Sequence, residues 1–122
     1  MIGYVTIGVS DIEKGKAFWT ELLEPLGAKI LMDMGRIALM GTAPDKPMLA
    51  VCVPYDEGDP NPGNGNMVAF AAGSREKVDE LYAKAIAMGA TDEGPAGERM
   101  ATFYGGYFRD PDGNKAVFFH MG

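Results

Sequence analysis

Apolar residues fall into two rhythms along this chain, and the same succession of rhythms is met twice. Over residues 2–9 they alternate, with Val5, Ile7 and Val9 on one face and Tyr4, Thr6 and Gly8 on the other, which predicts a strand. Ser10-Asp11-Ile12-Glu13 then matches a capping box, in which Ser10 accepts from the amide three residues on and Glu13 reaches back. The spacing changes to that of a helix, with an apolar stripe of Ile12, Trp19, Leu22, Leu23 and Leu26 that Pro25 and Gly27 bring to an end. Three short strands are predicted after it, at 28–33, 36–40 and 48–53, separated by turn residues at 34–35 and 41–47.

Residues 54–66, rich in Pro, Gly and acids, read as a linker or surface loop, and beyond them the pattern starts again. A strand is predicted at 66–72. Ser74 caps a second helix whose stripe of Val78, Leu81, Tyr82, Ala85 and Met88 stops at Gly89, and strands follow at 91–93, 101–109 and 115–120. Aligned on itself, the chain places Tyr4 over Met67, Val5 over Val68 and Glu13 over Glu76. A single one-residue gap then brings Gly27-Ala28 over Gly89-Ala90. Such an internal repeat predicts two tandem βαβββ modules, residues 1–57 and 66–122, within one domain spanning 1–122. Three mostly antiparallel strands after each helix make the fold class α+β, with one sheet face under the helix and the other free. Between the last two strands, Asp110-Pro111-Asp112-Gly113-Asn114 carries the residues of a tight hairpin turn.

Seventeen acids against eleven bases give a formal charge of −6, which repels a phosphate backbone, so no nucleic-acid partner is expected. Ordinary solubility accounts for that acidity, and the local acids Asp56, Glu57 and Asp59 fit a solvated loop better than a site for a cation. No apolar run approaches about eighteen residues, so no membrane span is expected. The start passes straight into strand pattern without a basic leader, and the single Cys52 has no partner for an internal disulfide. Both point to the cytoplasm.

The opening VTIGVSDIEKGKAFW at 5–19 and the closing FRDPDGN at 108–114, together with the repeat, resemble the vicinal oxygen chelate superfamily. That group takes in glyoxalase I, the bleomycin resistance proteins, fosfomycin-modifying enzymes and extradiol dioxygenases. The resemblance implies that the two modules form a cup-shaped, partly open barrel, and that family members commonly act as homodimers. In members that do chemistry it also implies a divalent metal at the floor of the cup, held by His, Glu or Gln and acting as Lewis acid or oxygen activator. The matching positions here are Tyr4 and Met67 on the first strand of each module, Val117 after the last turn, and Ala50 as its repeat mate. None is an imidazole or a carboxylate, so no metal and no cofactor are expected. His120, the one imidazole, falls on the strand face opposite Val117 and Phe119. Cys52 shares a face with Ala50 and behaves as a small hydrophobe.

With those positions apolar, the expected cup wall is Tyr4, Thr6, Ala50, Cys52, Met67, Ala69, Val117 and Phe119, a surface suited to an apolar or aromatic small molecule. Tyr104, Tyr107, Arg109 and Arg99 stand as polar candidates at its rim. Arg109 either grips a carboxylate or braces the hairpin through Asp110 or Asp112. Gly105-Gly106 is expected to loosen its strand or mark a bulge. Three functions follow from the resemblance and this wall. The first is a metal-free binding protein of the bleomycin-resistance kind, whose ligand the acidic surface would favour as a cation. The others are a divalent-metal-dependent or cofactor-free lyase, isomerase or dioxygenase of the same superfamily, with Tyr4 as acid or base where no metal is needed, and a partner-binding module whose cup is filled.

Overall fold

Strand β1 (Tyr4–Gly8) opens the first of two units, Met1–Asn61 and Pro62–Gly122, in a computed structural model that describes residues Met1–Gly122. In the first unit it is followed by α1 (Ile12–Leu23), a 3₁₀ turn at Glu24–Leu26, β2 (Lys29–Asp33), β3 (Ile37–Gly41) and β4 (Met48–Cys52). The second unit repeats the series with β5 (Val68–Ala71), α2 (Arg75–Ala87), β6 (Thr91–Met100), β7 (Phe103–Arg109) and β8 (Lys115–Met121). The sheets have matching orders, β1-β4-β3-β2 and β5-β8-β7-β6. In each, the first strand pairs parallel with the last and the others pair antiparallel. Two tandem βαβββ modules of α+β class are therefore present.

The helices begin on different terms. Ser74 caps α2 as its sequence predicts, its Oγ accepting from the Lys77 amide at 3.1 Å. On α1 the expected box at Ser10 is displaced by one residue. Asp11 is the extended cap residue, its carbonyl takes the first helical bond from Gly15 at 2.9 Å, and its carboxylate accepts from the Lys14 amide at 3.1 Å. A carboxylate at that place also meets the positive end of the helix dipole. Glu13 is turned instead to Lys16, at 3.0 Å. At the far end, Gly27 takes a φ of +84° and closes the 3₁₀ turn by donating to the Glu24 carbonyl.

Each helix covers one face of its own sheet. In the first unit Gly15 presses on Val9, where a β-carbon would stand 2.9 Å from both valine methyls, so α1 lies on the face of Val5, Ile7 and Val9. Trp19, Leu22 and Leu23 fill that layer against Ala38, Met40, Leu49 and Val51, all buried. In the second unit Val78, Leu81 and Ala85 of α2 are buried over a cluster of rings. Phe118 lies 5.3 Å from Phe108 and 5.7 Å from Phe70. Burying such aromatic and aliphatic side chains is the main favourable term for either unit.

One strand reading needs correction. β6 extends through Gly94, Pro95 and Gly97 to Met100, where the sequence pattern ends the strand at Glu93. It does so because β7 supplies a full-length partner and the register shifts between Asp92 and Gly94, between Gly94 and Gly97 and between Glu98 and Met100 absorb the irregular residues. Pro95 falls inside one such shift, where no ladder donor is required. Gly105-Gly106 does mark an irregularity, on the β6 side only: β6 shifts register between Gly94 and Gly97, opposite Tyr107 and Gly105, while β7 and β8 pair without a break from Phe103 to Arg109. Each glycine also makes room on one face. Rings of Phe103 and Tyr107 close over Gly105, and a β-carbon on Gly106 would stand 2.9 Å from the Tyr82 ring.

The hairpin turn is built around a buried carboxylate. Asp110 Oδ1 accepts from the amides of Asp112 at 3.0 Å and Asn114 at 2.8 Å, and Oδ2 accepts from Asn114 Nδ2 at 3.0 Å. Both Asp110 and Asn114 are buried, which their mutual bonding permits.

Candidate functional site

The face of each sheet away from its helix follows from the register. In the first unit Tyr4 and Thr6 of β1 share that face with Met48, Ala50 and Cys52 of β4, because Tyr4 pairs with Met48, Thr6 with Ala50 and Gly8 with Cys52. Tyr4 is 55% exposed, Cys52 is half-buried and Ala50 is fully buried. In the second unit Ala69 pairs with Val117 and Ala71 with Phe119, and Tyr107 and Gly105 continue the two rows on β7. Met67, just before β5, belongs by alternation to the same side and is 45% exposed. Thr6 opposite Ala50 thus has its repeat mate in Ala69 opposite Val117, so Ala50 and Val117 are equivalent positions of the two modules.

Tyr104 is set apart from this group. It pairs with His120 on the helix-bearing side of the sheet, and its hydroxyl donates to Asp79 of α2 at 2.6 Å. That bond, followed by burial, raises the Tyr104 phenol above its usual range. Arg75 lies 5.1 Å from the ring and also pairs with Glu98 at 3.0 Å, so the whole cluster ties the start of α2 to its sheet.

Arg109 braces the hairpin, but through partners other than the neighbouring aspartates. Its Nε donates to Glu93 at 2.5 Å and its Nη1 to the Gly113 carbonyl at 2.8 Å. Tyr107, in contrast, has two cations over its ring, Arg99 with its guanidinium carbon 5.3 Å from the centroid and Lys115 with its ammonium at 5.8 Å. Phe103 stacks on Phe119 with centroids 5.6 Å apart and rings nearly parallel. Lys115 and Phe103 were absent from the sequence-derived wall, although the alternation that selects Val117 also selects Lys115, and the pairing of Phe119 next to Phe103's strand selects the ring.

Whether these residues suit a divalent metal is a question of donors. Tyr4, Ala50, Met67 and Val117, the positions at which the sequence resemblance leads one to expect ligands, include no imidazole and no carboxylate. Nowhere do three or more His, Cys, Asp or Glu side chains gather as a metal site would need. The residues present do not fit the family's metal centre.

Two modules of one strand order, each with a helix on one sheet face and a second face left to aliphatic and aromatic side chains, define a tandem-repeat α+β protein. The Glyoxalase family model, described as Glyoxalase/Bleomycin resistance protein/Dioxygenase superfamily, matches residues 1–118, and the chain belongs to that superfamily. A glyoxalase/bleomycin resistance protein from Albidiferax ferrireducens T118 shares 31% identity with it at a TM-score of 0.89, the match covering 100% of this chain and 99% of that one. The fold recurs in a glyoxalase/bleomycin resistance protein/dioxygenase family enzyme from Burkholderia phytofirmans PsJN, with 21% identity, a TM-score of 0.80 and 98% of each chain covered. It recurs also in a glyoxalase-related enzyme from Fulvimarina pelagi, with 20% identity, a TM-score of 0.78, and 98% of this chain and 86% of that one covered. No curated protein matches the chain.

Proposed function

We propose that this member of the superfamily binds a small, largely apolar or aromatic molecule on the helix-free faces of its sheets, without the family's divalent metal, as a cytoplasmic homodimer. The observation that carries the reading is the donor set. Tyr, Ala, Met and Val stand at the four ligand positions, and the surrounding side chains, Thr6, Cys52, Phe119 and Tyr107 among them, offer contact area and hydroxyls in place of metal ligands. Such a surface favours burial of an apolar ligand and orients it with few polar groups. Affinity alone would then serve the function, as in a sequestering protein.

Metal content of protein purified without chelator or affinity tag tests this, together with melting temperatures on adding Zn, Ni, Mn and Fe(II). A ligand at about a hundred times its dissociation constant stabilises by about 2.7 kcal/mol, which moves the melting temperature by several degrees. The expected result is no stoichiometric metal and no such shift. A metal bound in equimolar amount, or a several-degree rise with one ion, overturns the metal-free reading.

A further inference from the structure

We infer that the ligand of the second module carries an anionic group, held by Arg99 and Lys115 beside Tyr107, with its apolar part laid on Phe119. This deepens the binding function proposed above and rests on it. It also reverses the charge that the acidic composition suggests.

The two cations are arranged for a third party. Arg99 is fixed in place by carbonyls, its Nη2 donating to Pro95 at 2.6 Å and its Nη1 to Gly97 at 3.0 Å, and it lies against Gly94 and Gly97 where any β-carbon would crowd it. Neither Arg99 nor Lys115 forms an ion pair. The acids nearby hold other partners, and Asp92 acts on Arg99 only through space, without an ion pair. Asp92 accepts from the Tyr82 hydroxyl at 2.7 Å and from the Gly94 amide at 2.8 Å, and Glu93 holds Arg109. Both cations stand against the one ring, so an anion beside that ring is attracted by the two charges together.

Tyr107 adds a hydroxyl that makes no hydrogen bond within the chain, and an anion accepts from it as from the guanidinium. Further along the same face, Phe119 stacked on Phe103, with Ala69 and Ala71 exposed alongside, offers a flat apolar surface next to the charges. A small aromatic carboxylate or sulfonate combines the two requirements. The chain as a whole bears −6, so a preference for anions cannot come from its net charge and must be local.

Two dyes of one skeleton provide the test, 8-anilino-1-naphthalenesulfonate and its uncharged counterpart N-phenyl-1-naphthylamine, titrated by fluorescence against the full chain. The expected result is that the sulfonate binds about tenfold more tightly, the worth of one hydrogen bond to a charged group. R99Q and K115Q should each abolish most of that preference, read as the ratio of the two dyes' affinities within each variant, and K115Q, which removes no hydrogen bond within the chain, keeps the test open where R99Q loosens β6. Equal affinity for the two dyes, or a preference that survives both substitutions, overturns the inference and leaves the binding function standing. Binding of the neutral dye alone overturns the inference only, and failure of both dyes to bind overturns both.

Discussion

At the scale of single residues, close approach decides what each position tolerates. Alanine in a helix interior ordinarily gains about 1 kcal/mol over glycine. At Gly15 the new β-carbon would meet both methyls of the fully buried Val9 at 2.9 Å, and overpacking of that kind costs about 1–3 kcal/mol. G15A is therefore expected to destabilise, and V9A added to it to recover less loss than the two changes sum to, as urea denaturation of the double-mutant cycle would show. Tyr82 is the other sharp case. Burial first, and then its hydrogen bond to Asp92, push its phenol up to about 12, so it should ionise well after an ordinary tyrosine in an ultraviolet titration. D92N should lower that value only in part, because burial remains. Neither feature is legible in sequence. The helical stripe shows that Gly15 is within a helix, and only the packing shows what it touches.

The elements repeat the lesson at larger size. Sequence patterns placed both helices, the glycines that end them and the aspartate turn, because caps, stops and turns are written in adjacent residues. They misplaced the cap of α1 by one residue, since Ser10 and Asp11 both have capping chemistry and the first carbonyl bond chooses between them. D11A is expected to cost about 1 kcal/mol in urea denaturation, matching S74A on α2, where a single candidate exists. β6 was cut short for a related reason. Gly94, Pro95 and Gly97 look like a turn until β7 is present to pair with them. Between α1 and β2, Lys16 donates to Asp33 at 2.9 Å; this bond raises the lysine and, with the Gly35 amide, lowers the aspartate. The contribution is present between the two unfolded values. It is lost as pH falls from 3.8 through the lowered aspartate value, and again as pH rises from 10.5 through the raised lysine value. The difference in urea midpoint between the natural protein and D33N should therefore shrink at either extreme.

For the whole molecule, strand order sets where stability lies. β4 and β3 are inner strands of the first sheet, β8 and β7 of the second, and the fully buried residues are concentrated there. Amide exchange should be slowest at Ala38 to Met40, Leu49 to Val51, Phe108 and Ala116 to Phe118. It should be fastest along the edge strands β1, β2, β5 and β6, as two-dimensional NMR in heavy water would record. Equal exchange at edge and inner strands would contradict the topology. The repeat itself was legible because module two restates module one in the same order of rhythms. The faces were legible in alternation. Lys115 and Phe103 share that alternation, but as the first residues of β8 and β7 they carry no mark in sequence of the rings they meet, Tyr107 and Phe119.

That order also fixes a timetable for synthesis. β1 is made first, yet its only sheet partner is β4, the last strand of its unit, and β5 waits in the same way for β8. Until the closing strand leaves the ribosome, the opening one has no ladder to join and must remain an unpaired apolar segment, a target for chaperones. The nascent chain should consequently acquire protease resistance in two steps, one when β4 emerges and one when β8 does, with a vulnerable interval before each.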